Sequence, residues 1–135
     1  MSTNGHSNTM TVDLSIPVTS DLVVLARLTA ATVAARAGFG VEDIEDLRLA
    51  VEELCLSLVR SDDDGRLNFA FECAGDTITV TCWFDPQPGW DGSSSGAVDD
   101  LSLRILDALV DEHGREQRDG RLCAWLRKRR AHTTG

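Results

Sequence analysis

The chain has 135 residues, 42% of them hydrophobic and 5% aromatic, with no tyrosine and a net charge of −9 at pH 7. That is enough apolar chain for one real core. It is too acidic to grip nucleic acid by neutralising phosphates, and its few aromatic residues offer no platform for stacking bases. Acidity keeps a protein soluble and also suits a basic partner.

Residues 1–9 are small and polar and read as a disordered tail. A single domain then spans 10–130, and 131–135 form a second tail. From Met10 to Ile16 apolar and polar residues alternate as in a half-buried strand, and Pro17 ends it. Thr19 or Ser20 is placed to cap a helix over 21–37 with Leu22, Leu25, Leu28 (or Thr29) and Val33 inward. Gly38 and Gly40 interrupt the chain, and a second helix is expected over 41–60. Asp62, Asp63, Asp64 and Gly65 make a solvated turn, because an EF-hand loop needs further acids and a terminal Glu. Strands over 67–73 and 77–84 follow, joined by a turn at Ala74-Gly75-Asp76. Residues 85–97 are aperiodic around Trp90 and read as a lid-like loop. A third helix over 99–112, closed by Gly114, a strand over 122–126 and a basic run from Arg127 to Arg130 complete the chain.

This order is not the strict alternation of a doubly wound parallel sheet. It predicts an α+β fold, a two-layer sandwich with a mixed or antiparallel sheet covered on one face by three helices. Cys55, Cys73, Cys82 and Cys123 form no Cys-x-x-Cys pair and stand in apolar or alternating segments, as small buried thiols do. They point to a reducing compartment and against a zinc site. Neither a signal peptide nor an apolar run of membrane-spanning length is visible, so the expectation is a cytoplasmic protein without a membrane contact.

The second helix carries the most information. Ile44, Leu47, Val51, Leu54 and Leu58 step by three and four residues along one face. Glu53 and Ser57 stand one turn apart off that stripe, with Ala50 and Asp46. Ala50-Val51-Glu52-Glu53-Leu54-Cys55-Leu56-Ser57, preceded at a fitting distance by Ala26-Arg27-Leu28-Thr29, resembles the anti-sigma-factor serine-kinase family, a branch of the GHKL ATPases, and in particular its actinobacterial members. The resemblance covers about residues 10–130 and is weak after Phe84.

It implies a Bergerat-type sandwich that binds ATP and Mg between the sheet, the second and third helices and a lid. Glu53 takes the place of the general base, and Ser57 replaces the family's Mg-binding Asn. Asp85 and Gly89 fit the ends of its Asp-x-Gly-x-Gly turn, where the Asp accepts from adenine, but Gln87 replaces a glycine and Pro86 and Pro88 remove backbone donors. At the second glycine turn the chain reads Asp100-Leu101-Ser102-Leu103, and the acids at 99 and 100 oppose phosphate. Arg27 matches the arginine that touches both the sigma factor and the anti-anti-sigma (STAS-domain) protein.

The resemblance therefore implies a homodimeric regulator of stress-response transcription. It leaves three activities open: sequestration of a sigma factor, ATP-dependent phosphorylation of a serine on the antagonist, or binding of another nucleotide in the same pocket.

Overall fold

A computed structural model describes residues 9–19, 21–59, 64–89 and 100–131. The turn acids Asp62 and Asp63, the cap candidate Ser20, Trp90 and Asp99 lie outside the described residues. Among the described residues the elements run β1 (Met10–Pro17), α1 (Val23–Arg36), α2 (Val41–Leu56), β2 (Gly65–Ala74), β3 (Thr77–Pro86), α3 (Asp100–Leu109), β4 (Glu112–Arg118) and β5 (Arg121–Arg129). The five strands pair antiparallel throughout, in the order β1-β2-β3-β5-β4.

Side chains alternate across each strand, and the buried set identifies the covered face. Leu67, Phe69, Phe71 and Cys73 of β2, Ile78, Val80 and Cys82 of β3, and Ala124 and Leu126 of β5 pack with the helices in one apolar cluster. Leu47, Ala50, Val51, Leu54 and Cys55 are the contribution of α2. The intervening residues Arg66, Asn68, Thr81, Trp83, Asp85 and Trp125 point to the opposite, helix-free face. The expected two layers and three helices are therefore present, and the sheet is purely antiparallel.

Four local expectations are corrected. The buried side of α1 is Ala26, Ala30, Val33 and Ala34, whereas Leu25 and Leu28 are 43% and 50% exposed. The alanines follow the same helical spacing and let α1 lie close to its neighbours, which turns the leucines outward. Its start is held by the Thr19 carbonyl, which accepts from the N–H groups of Leu22 (3.1 Å) and Val23 (3.2 Å), with no side-chain cap at Leu22. The second helix ends at Leu56 rather than Arg60; Leu58 and Val59 stay buried in the turn beyond it. The third helix ends at Leu109, and Gly114 is not its stop but part of β4. Gly114 stands opposite Trp125, and a Cβ there would come within 2.9 Å of the indole, so the ring needs a glycine across from it.

Candidate functional site

The residues singled out from the sequence occupy three separate places. Glu53 and Ser57 stand at the end of α2. Ser57 is the C-cap and is 4% exposed; its hydroxyl donates to the Leu54 carbonyl at 2.7 Å, and its own carbonyl accepts from Arg115 Nη2 of β4 at 3.2 Å. The Arg115 guanidinium thus meets the negative end of the α2 dipole, and burial lowers its pKa. The Glu53 side chain is half-buried, and among the described residues its carboxylate is in no recorded hydrogen bond or ion pair.

Asp85 lies elsewhere. The loop expected from residue 85 begins only after Pro86, because β3 continues through both residues, paired with Gly65 and Arg66 of β2. The helix-side residue at this end of β3 is Phe84, so Asp85 points to the helix-free face, away from Glu53 and Ser57. There its carboxylate accepts from Asn68 Nδ2 at 2.9 Å and pairs with Arg121 Nη1 at 3.0 Å. Gly89 sits in the turn after β3 with φ +94°, a left-handed conformation that suits glycine, and an added Cβ would meet nothing.

These placements bear directly on the nucleotide. The adenine acceptor and the α2 carboxylate are on opposite sides of the sheet. At the position expected for the Mg-binding Asn, Ser57 uses its hydroxyl proton on the helix, and the Arg115 guanidinium meets its backbone carbonyl. Among the described residues no cluster of three or more His, Cys, Asp or Glu side chains forms a metal-binding group. Among the described residues, Asp85 is not brought together with Glu53 and Ser57.

Arg27 occupies the third place, on the α1 surface. Its Nη1 pairs with Glu52 Oε1 of α2 at 3.0 Å. Neither residue is deeply buried, and such a pair contributes about 0–1 kcal/mol, so a competing carboxylate can replace Glu52 at small cost. Beside it Val24, Leu25 and Leu28 are exposed, and a groove of about 270 Å³ opens between α1 and β1, walled by Met10, Val12, Leu25 and Leu28. The sequence reading missed this apolar surface because it assigned the leucines to the core. A second functional candidate it missed is Arg115, which stands in a polar segment that gave no apolar alternation to reveal a strand.

Comparison with known proteins agrees with this architecture. Residues 16–128 match the family described as "Histidine kinase-like ATPase domain". The "Serine-protein kinase RsbW" of Bacillus cereus (strain B4264) is 33% identical over 72 residues, 51% of this chain and 45% of the relative. The protein of the same name from Bacillus mycoides (strain KBAB4) is 32% identical over the same shares. The match thus spans about half of each chain. This chain belongs to the histidine kinase-like ATPase domain family. Among the described residues no helix is long and apolar enough to cross a membrane.

Proposed function

We propose that the chain is a cytoplasmic, dimeric anti-sigma factor that captures a sigma factor on the α1 surface around Arg27 and keeps it from RNA polymerase. A small STAS-domain anti-anti-sigma protein competes for that surface and releases the block. One observation supports this reading above the others: Arg27, Leu25 and Leu28 are presented together on one helix, whereas Asp85 is tied down across the sheet from Glu53 and Ser57. An arginine beside exposed leucines on one helix supports a partner contact, and the separation of Asp85 from Glu53 and Ser57 speaks against nucleotide chemistry. An arginine suits such a contact because its planar fork binds a carboxylate through two parallel hydrogen bonds.

The alternative is a serine-protein kinase that phosphorylates the antagonist. It is favoured by the relatives' name and by the Glu53 carboxylate, which no hydrogen bond or ion pair among the described residues holds from a hydroxyl proton.

The deciding experiment is capture of partners from the parent cells by the tagged protein, with and without Mg-ATP, for wild type, Arg27→Ala and Glu53→Ala. Sequestration predicts that a sigma factor is recovered in both conditions. It also predicts that Arg27→Ala loses roughly ten-fold in affinity for sigma factor and antagonist alike, the expected loss for a charged hydrogen bond of about 1.4 kcal/mol, while Glu53→Ala behaves as wild type. Phosphotransfer to the antagonist that disappears in Glu53→Ala establishes the kinase instead. Recovery of neither partner in either condition overturns both readings.

A further inference from the structure

Lys128 is the only lysine in a chain with twelve arginines, and it is one of two buried polar or charged residues among those described, 7% exposed. It stands on the helix side of β5, where its Nζ donates to the Leu109 carbonyl, the last of α3, at 2.8 Å. The same ammonium lies 3.7 Å from Asp43 Oδ1 and 3.8 Å from Asp46 Oδ2, both in the first two turns of α2. A compact ammonium with three rotatable donors suits a carbonyl and two carboxylates arranged around it.

The geometry of the neighbours shows what this contact holds. α3 ends where α2 begins, so the two helices run antiparallel, and the start of α3 lies toward the end of α2 that carries Glu53 and Ser57. The anchors of α3 are gathered in its last turns. Leu106 and Val110 are buried, and Asp107 meets His113 Nε2 of β4 at 2.6 Å, whereas Leu101 near the start is 61% exposed. Asp43 is itself fixed by the Ala131 N–H at 3.0 Å, so the α2 side of the contact is rigid.

We propose that Lys128 is a positioning residue, a polar pivot that couples the end of α3 to the start of α2. It acts through α3 and touches no ligand. The inference rests on the geometry of the described residues and holds whether the chain sequesters a partner or phosphorylates one.

The test is amide hydrogen exchange of the full chain carrying Lys128→Met, which keeps most of the side chain's length and removes its charge. Exchange in 41–47 and 103–110 should rise about ten-fold or more, while amides of β2 and β3, which report global opening, stay within about two-fold of wild type. No change in α3, or a rise in the same proportion everywhere, overturns the proposal and leaves Lys128 a contributor to overall stability. Should Lys128→Met fail to fold, the double variant Asp43→Asn/Asp46→Asn decides. It leaves the Leu109 contact untouched, yet it should loosen the last turn of α3 through the lysine; unchanged protection there overturns the coupling.

Discussion

At the residue scale the chemistry of the core is dominated by thiols that the fold keeps protonated. Cys82 is fully buried, and burial pushes its pKa well above the ordinary 9.0, reinforced by a hydrogen bond with Cys55 across the α2–β3 contact. Burial also raises Cys73, against the opposing charge of Arg130, and Cys123, where Arg118 is the leading opposing charge. In the unfolded chain the same thiols ionise near their ordinary value. Their stabilisation is thus complete below about pH 9, and it is lost as the pH climbs from there through the raised folded values. With no tyrosine and a single lysine in the chain, little else titrates in that window. The urea midpoint should be flat from about pH 7 to 8 and fall above about 9, and Cys82→Val should make the fall shallower. A fall in the variant as steep as in wild type would show that the Cys82 thiol is not its source.

At the element scale the junction between α1 and α2 shows how few residues set a helix end. Ala37, Gly38 and Phe39 form a Schellman motif: the Phe39 N–H reaches back to the Ala34 carbonyl at 3.0 Å and the Gly38 N–H to Ala35 at 3.1 Å. Gly38 has φ +84°, and a Cβ there would stand 3.0 Å from Arg130 Nη1, which donates to the Ala37 carbonyl at 2.9 Å. Gly38→Ala should therefore lower stability by about 1–2 kcal/mol, from the left-handed backbone alone, measured by urea denaturation. An unchanged midpoint would mean that neither the backbone conformation nor the Arg130 contact constrains the junction.

Elements of this kind also mark what the sequence can and cannot reveal. The two glycines, the alternation in β1 to β3 and the α2 stripe are local patterns, and each appears in the structure where local physics puts it. The α1 face is not local: two sets of residues share the helical period, and only tertiary packing favours the alanines over the leucines. β4 reads Glu-His-Gly-Arg-Glu-Gln-Arg and is an edge strand without an apolar side, so it carries no period-two signal of hydrophobicity. Asp85 parts from Glu53 and Ser57 for a related reason. A strand reverses its facing at every residue, and β3 runs on regularly through Pro86, so Phe84 faces the helices and Asp85 does not. Motif spacing alone does not report on which side of a sheet a residue falls.

At the scale of the whole molecule the net charge of −9 becomes an argument about association. The ion pairs among the described residues do not use up the acids, since Lys128 alone meets two carboxylates and the chain carries 22 acids against 13 Lys and Arg. An acidic body carrying one arginine amid exposed leucines suits a partner that is basic overall and presents a carboxylate and apolar groups at the contact. A DNA-binding transcription factor meets the first condition. Long-range attraction of this sort acts on encounter and is screened over about 10 Å at 0.1 M salt, whereas the apolar contact survives screening. The association rate with the proposed sigma-factor partner should fall about ten-fold or more between 0.05 and 0.5 M NaCl, with the dissociation rate changing far less. Arg27→Ala should act the other way, speeding dissociation while leaving the salt dependence of association in place. Surface-immobilised binding kinetics at several ionic strengths separates the two. A salt-independent association rate would mean that the acidic body serves solubility alone and that the α1 surface finds its partner without steering.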